Sequence, residues 1–249
     1  VPKATRGDWA SLLAEVVDGV ARNRDSETRW ILLLMLAKTI LQTPPRGGKK
    51  HQHNLANQIR EKIKRWRSGE IVRLWEVATN KDTTGPSRRI RRQPSLPDQT
   101  QEAINIKRCQ RLVQEGQFSR AVQALTSNGI DRDSLAAKEA MAKKHPQTTP
   151  SPTPAGTPPN PIRLTPSQVE KAIRSFKSGT APGPSCLRTE HLKGAIFSPT
   201  PSRSEKALNA ITSLANTLAG GHIPTSIAPF FYGASLFAAN KKDGGHCPV

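Results

Sequence analysis

The sequence predicts a mainly α chain with a small α/β part: a helical N-terminal region, a flexible proline-rich linker, then a capped segment ending in an incomplete β-hairpin. Three observations lead there. Apolar residues recur at spacings of three and four through most of the chain before His145, which gathers them on one side of successive helices. The stretch HPQTTPSPTPAGTPPNP, His145 to Pro161, has almost nothing to bury. Beyond it, between Ile162 and Val249, helix caps, glycine turns, an apolar run and a charged turn follow in a definite order. The expected regions are 1–82, basic and helical; 83–98, a basic linker; 99–145, a helical hairpin region; 146–161, a Pro/Thr-rich linker; and 162–249, the capped α/β segment.

Asp8 to Ala21 carries Leu12, Leu13, Val16, Val17 and Val20 at helical spacing. Thr28 to Leu41 reads as a second helix with Trp30, Leu33, Leu34, Ala37 and Leu41, and the two can form a hairpin across Arg22 to Glu27. Thr43 to Lys50, TPPRGGKK, ends it and lacks the glycine-to-Gly-Lys-Ser/Thr spacing of a phosphate-binding Walker loop. Arg46, Lys49 and Lys50 there fit a solvated turn or a phosphate-backbone contact, which attracts nucleic acid without reading it. His51 and His53 sit beside them in a basic loop with no carboxylate pair nearby.

From Gln52 a long helical pattern places Leu55, Ile59, Ile63 and Trp66 on one side and Arg60, Lys64 and Arg67 on others. After Gly69 it continues with Ile71, Leu74, Trp75 and Ala78. Such a basic amphipathic helix suits packing on its own domain, contact with nucleic acid, or a membrane or calmodulin-like partner. Its tryptophans fall on the apolar series and read as core anchors. Thr83 to Pro97 is a linker whose Arg88, Arg89, Arg91 and Arg92 repel one another and keep it extended. Gln99 to Glu115 and Phe118 to Ser127 form the next pair, with Ala103, Ile106, Cys109, Leu112 and Val113 expected to face Phe118, Ala121, Val122 and Leu125 across Gly116. No second copy follows, which disfavours a solenoid. Asp131 to Lys144 adds a weak third helix.

Thr165 is placed to cap a helix, with Pro166 at its first position and Gln168 set to return to the cap's own N–H. Val169, Ala172, Ile173 and Phe176 give it an apolar face, and Gly179 is expected to stop it. Ala181-Pro182-Gly183-Pro184 then delivers the chain into a short helix with Leu187, His191 and Leu192, where His191 reads as a packed or capping histidine. Ser202 and Glu205 suggest a capping box for a helix through Leu218 that closes at Gly220-Gly221, its partner expected to be the Val169/Ile173/Phe176 face or the strand after it. Phe230 to Ala239 reads as a covered strand, Lys241 to Gly245 as a charged reversal, and His246 to Val249 as the start of a return strand. With half a partner, that strand would carry unpaired N–H and C=O groups, so the chain is expected to be a piece of something longer.

The strings FKSGTAPGPSCLRTEHLK and IPTSIAPFFYGASLFAANKKDGG, with CPV after them, resemble the opening of the reverse transcriptase domain of R2-like non-LTR retrotransposons. IKRCQRLVQEGQFSRAVQALTSNGI with AKKHP is similar to the helical lead-in before such polymerase domains, and WILLLMLAKTILQTPPRGGKK looks like the upstream part of these reading frames. The resemblance implies that 162–249 is a partial set of fingers ending in the fingers hairpin. It implies that Lys241 or Lys242 meets the phosphates of an incoming nucleotide, that element RNA and DNA are partners, and that a functional element works in the nucleus. The family's Gly-Pro-Asp-Gly is Gly183-Pro184-Ser185-Cys186 here, and the arginine of its Gly-Gly-x-Arg-Pro-Ile is Cys247, which has no guanidinium fork. These departures fit a decayed copy, a partial reading frame or a short protein in its own right.

A formal net charge of +19 on 249 residues predicts strong attraction to polyanions and by itself does not distinguish RNA, DNA and an anionic membrane. Three scattered cysteines form no disulfide framework, which fits a reducing, intracellular setting, and Ile31 to Leu41 is broken by Lys38 and too short to span a bilayer, so no membrane partner is expected. No residues suggest a nucleophile with its base, and zinc at adjacent His246 and Cys247 is disfavoured because ligands must converge from several positions. Nucleotidyl transfer needs carboxylates holding divalent metals, and no adjacent aspartate pair of the Tyr-x-Asp-Asp type is present. The expectation is therefore a nucleic-acid-binding fragment of an RNA-directed DNA polymerase, inactive alone, with no catalytic or metal-binding residues of its own and Mg2+ needed only by the complete enzyme. The alternatives are a stand-alone basic helical nucleic-acid-binding protein and a helical interaction adaptor.

Overall fold

The computed structural model describes residues 1–42, 50–79, 100–114, 116–131, 134–144, 162–177, 179–180, 182–232, 238–241 and 245–248. After a 3₁₀ turn at Lys3–Thr5, the helices begin with α1 (Arg6–Arg22), α2 (Glu27–Leu41), α3 (Lys50–Arg67) and α4 (Ile71–Thr79). Next come α5 (Gln101–Gln114), α6 (Phe118–Leu125), strand β1 (Ile130–Asp131) and α7 (Leu135–Lys144). The last stretch holds α8 (Pro166–Ser175), α9 (Thr189–Ile196), α10 (Pro201–Ala219), α11 (Ala228–Tyr232), β2 (Ala238–Asn240) and β3 (His246–Pro248). The expected mainly helical chain with a small β component is what forms. Contacts divide it into one unit of 1–88 with 160–234, and another of 89–159 with 235–249. The expected linkers 83–98 and 146–161 lie outside the described residues.

In the first unit α1 is central, packing along α10 and against α2, α3 and α9. It buries Trp9, Leu12, Leu13, Val17 and Val20, and Trp30, Leu36 and Ile40 of α2 join the same core with Ile59, Ile63 and Trp66 of α3. Each such side chain contributes about 1.5–3 kcal/mol through burial. The α3 tryptophan is thus the core anchor its apolar spacing predicts. Alanines at 10 and 14 of α1 and at 207 and 210 of α10 are also buried, and small side chains let packed helix axes approach closely. Asp8 links three helices: its carboxylate accepts from Arg60 Nε of α3 at 3.3 Å and from Arg203 Nη1 of α10 at 3.0 Å. After α3, Gly69 takes φ 89° and donates its N–H to the Trp66 carbonyl, while the Glu70 N–H returns to that of Arg65. This paired closure needs a left-handed residue, which glycine supplies without a Cβ clash.

The α8 cap forms as the sequence predicts. Thr165 Oγ1 accepts the Gln168 N–H at 3.3 Å, and Gln168 Oε1 accepts the Thr165 N–H at 2.8 Å. The helix ends at Ser175, with Phe176 already extended, so the stop precedes Gly179; Phe176 is 46% exposed rather than part of the packed face. Three other expectations in this unit are corrected. The cap of α10 is Thr200, not Ser202: Pro201 takes the first helical position and forces its predecessor into the extended conformation of a cap. Although α10 does meet α8, its main partner is α1. Phe230 opens no strand but lies in α11, whose first turn admits Pro229 because its missing N–H has no helical acceptor there; of the expected strand, 233–237 lie outside the described residues and Ala238 and Ala239 belong to β2. Phe231 of this helix meets Trp30 edge to face at 5.2 Å.

In the second unit α5 and α6 form the expected hairpin, but through a narrower face. Leu112, Ala121 and Ala124 with Cys109 are packed together, while Ile106, Val113, Phe118, Val122 and Leu125 are exposed. Asn105 takes the place expected for apolar side chains. Its Nδ2 donates to the carbonyls of Leu125 and Ser127 at 3.3 and 2.7 Å, holding the end of α6 against α5. The sheet has the order β1-β2-β3 with both pairs antiparallel. Ala239 stands opposite Cys247 on one side and Ile130 on the other. The return strand therefore forms, and the other edge of β2 pairs with Ile130–Asp131.

Candidate nucleic-acid interface

Arg46, Lys49, Arg88, Arg89, Arg91, Arg92 and Lys242 lie outside the described residues. Lys50 opens α3, and His51 and His53 belong to that helix rather than to a loop. Downstream on α3, most charge is used within the unit. Arg60 pairs with Asp8, Arg65 with Glu70 at 3.0 Å, and Arg67 with Glu15 through two bonds of 3.0 and 2.7 Å. Lys62 donates to the Gln42 carbonyl at 3.0 Å, and burial lowers its ammonium below the usual lysine range. These pairs are exposed and each contributes at most about 1 kcal/mol. Of the open alternatives for this helix, packing on its own domain describes the residues from Leu55 onward.

Between α8 and α9, side chains and backbone of the described residues are tied together locally. The N–H of Gly179 donates to the Glu190 carboxylate, which also accepts from the Thr189 hydroxyl. Burial pushes that carboxyl up, yet these donors, its own backbone N–H and nearby Arg188 outweigh it and hold Glu190 below the usual range. Residues 183–186 form a turn closed by the Cys186 N–H on the Gly183 carbonyl at 3.0 Å. Cys186 has φ 58° there, a left-handed conformation that costs a non-glycine residue about 1–2 kcal/mol. Ser185 Oγ accepts the Leu187 N–H at 3.3 Å, a local bond of the kind a short acidic side chain also makes.

His191 is both a packed and a capping histidine. Its Nδ1 accepts the Arg188 N–H at 3.2 Å, its ring meets Trp9 edge to face at 6.3 Å, and its carbonyl accepts Trp9 Nε1 at 2.9 Å. Burial, then the chain's terminal ammonium and Arg188, lower it to about 4, so it is neutral near pH 7. Trp9 lies 182 residues upstream and Glu190 beside the histidine, and neither stood out in the sequence because each acts through a contact made only on folding.

In the second unit, the hairpin registers Ala238 with Pro248, Ala239 with Cys247 and Asn240 with His246. The Lys241 N–H closes the reversal on the Gly245 carbonyl at 2.8 Å, and the Lys241 side chain is exposed. Among the described residues, no group of three or more His, Cys, Asp or Glu is placed to hold a metal ion, and no helix is long and apolar enough to cross a membrane. No family model, curated protein or solved structure matches the chain.

Proposed function

We propose that the chain is the nucleic-acid-binding and fingers portion of a retroelement RNA-directed DNA polymerase, unable to polymerise by itself. The observation that carries this reading is the turn at 183–186. Where the family motif has its second glycine, this chain has Cys186 in a left-handed conformation that favours glycine. A turn whose backbone favours glycine at this position supports the resemblance. The net charge of +19 supplies the affinity for element RNA and DNA, and an exposed Lys241 at the hairpin reversal fits contact with a nucleotide's phosphates. The palm, absent from these residues, would supply the carboxylates for Mg2+, and a functional element would act in the nucleus.

Primer extension tests this. Purified chain with primer, template, nucleotides and magnesium should make no DNA. In a form extended by a matching palm, Cys247→Arg should improve use of limiting nucleotide, because a guanidinium adds charge-assisted contacts to a phosphate that lysine meets as a point charge. Extension by the isolated chain, surviving repurification and lost when Lys241 and Lys242 are neutralised, would refute the reading. A second reading, a helical interaction adaptor, draws on α6, whose Phe118, Val122 and Leu125 are 65%, 65% and 49% exposed along one face. Retention of nucleic-acid binding when these become polar separates the first reading from the second.

A further inference from the structure

Along α10, Asn209, Ser213, Asn216 and Gly220 follow at spacings of four, three and four, so they form one stripe. At about 1.5 Å per residue the stripe runs about 16 Å. It floors a cleft of about 490 Å³, with Arg24 from the α1–α2 connection and Arg163 from the segment before α8 among its walls. Both arginines spring from anchored backbone. The Arg24 carbonyl accepts Nε1 of fully buried Trp30 at 2.7 Å. Next to Arg163, Asn216 grips Leu164 twice, Oδ1 accepting its N–H at 2.7 Å and Nδ2 donating to its carbonyl at 3.0 Å.

The groups left over are all able to donate. The side chains of Arg24, Arg163, Asn209, Ser213 and His222 line this cleft and have no hydrogen-bond or ion-pair partner among the described residues. Among the described residues, none of those lining the cleft carries a carboxylate. A neighbouring hollow that shares Asn209 carries Asp18 and Glu205, so the stretch suited to an anion runs from Asn209 toward Gly220 and not the other way.

We propose that this groove holds the phosphodiester backbone of a nucleic-acid strand, with Arg24 and Arg163 on phosphates and Asn209 and Ser213 donating to phosphate or sugar oxygens. The length of the stripe suits an extended polyanion rather than a compact one. Two planar guanidiniums on fixed backbone give the bidentate phosphate contacts that mobile surface lysines do not. The inference rests on the nucleic-acid reading above and says where in the first unit the strand lies.

The test is fluorescence anisotropy of the full chain with a labelled single-stranded RNA oligonucleotide at low and near-physiological salt. The double variant Arg24→Gln/Arg163→Gln is compared with Arg73→Gln/Lys171→Gln, which removes equal charge from exposed helix positions. The groove variant should bind roughly tenfold more weakly than this control, and the slope of log affinity against log salt should fall by about 1.4, as for two lost single-strand phosphate contacts. Circular dichroism should show both variants folded. Equal losses in the two variants would overturn the groove while leaving nucleic-acid binding intact. Displacement of the RNA by equimolar ATP would overturn the assignment to a strand. Absence of binding by the parent chain at low salt would refute both the groove and the reading beneath it.

Discussion

Trp9 and His191 are joined twice: the indole N–H donates to the histidine's carbonyl at 2.9 Å, and the two rings meet edge to face at 6.3 Å. The contact fastens the first turn of α9 onto α1. Because Trp9 is fully buried, Trp9→Phe keeps most of the apolar burial but removes the indole's bond to the His191 carbonyl. The expected loss is about 1–2 kcal/mol in urea unfolding, against about 3–5 kcal/mol for Trp9→Ala. Equal costs for the two variants would assign the whole effect to packing.

The same histidine makes stability depend on pH. Its pKa is about 4 in the folded chain and near 6.5 when unfolded, so between these values the unfolded chain binds more protons. Its contribution is fully present above pH 6.5 or so and is lost as pH falls toward 4. His191→Gln keeps an acceptor for the Arg188 N–H without titrating, and its urea midpoint should fall less over this window than that of the parent. Parallel pH profiles would contradict the burial of a neutral imidazole.

Cys186 offers a test in the stabilising direction. With φ at 58°, Cys186→Gly removes the Cβ penalty, although glycine also adds freedom to the unfolded chain. The expected net gain is about 0.5–1 kcal/mol in chemical denaturation. Cys186→Val should instead destabilise, since a β-branched residue tolerates this region worst. A loss in Cys186→Gly would show that the thiol's own contacts outweigh the backbone strain.

What was legible in the sequence follows from the range of each interaction. The Thr165/Gln168 cap and the apolar spacing of α1 are settled within a few residues, and their geometry agrees with the pattern; the pattern read as continuing past Gly69 is instead broken there into α3 and α4, and α2 buries Leu36 and Ile40 where Leu34 and Leu41 were expected. The Ser202/Glu205 pair had the right spacing too, but Pro201 shifted the cap by favouring the first helical position. The start of the strand expected over Phe230 to Ala239 misled, because a continuous apolar run suits a covered strand and a buried helix alike: Phe230 to Tyr232 are helical, whereas Ala238 and Ala239 do lie in β2. The pairing of Ile130 with Ala239 had no local cue: two residues of strand carry no periodicity. At the candidate interface, Lys241 was placed in its reversal correctly, whereas the polar stripe on α10 stayed hidden because the apolar stripe drew the reading and Arg24 and Arg163 approach it only on folding.

The central claim is that this chain holds nucleic acid through its charge, and the most direct measurement is its affinity for single-stranded and duplex RNA and DNA across a salt series. Binding should be tight and poorly selective at low salt, and log affinity should fall linearly and steeply with log salt as counterions are released from the phosphates. Affinity that does not change with salt, or no binding at the lowest salt despite a net charge of +19, would contradict the account.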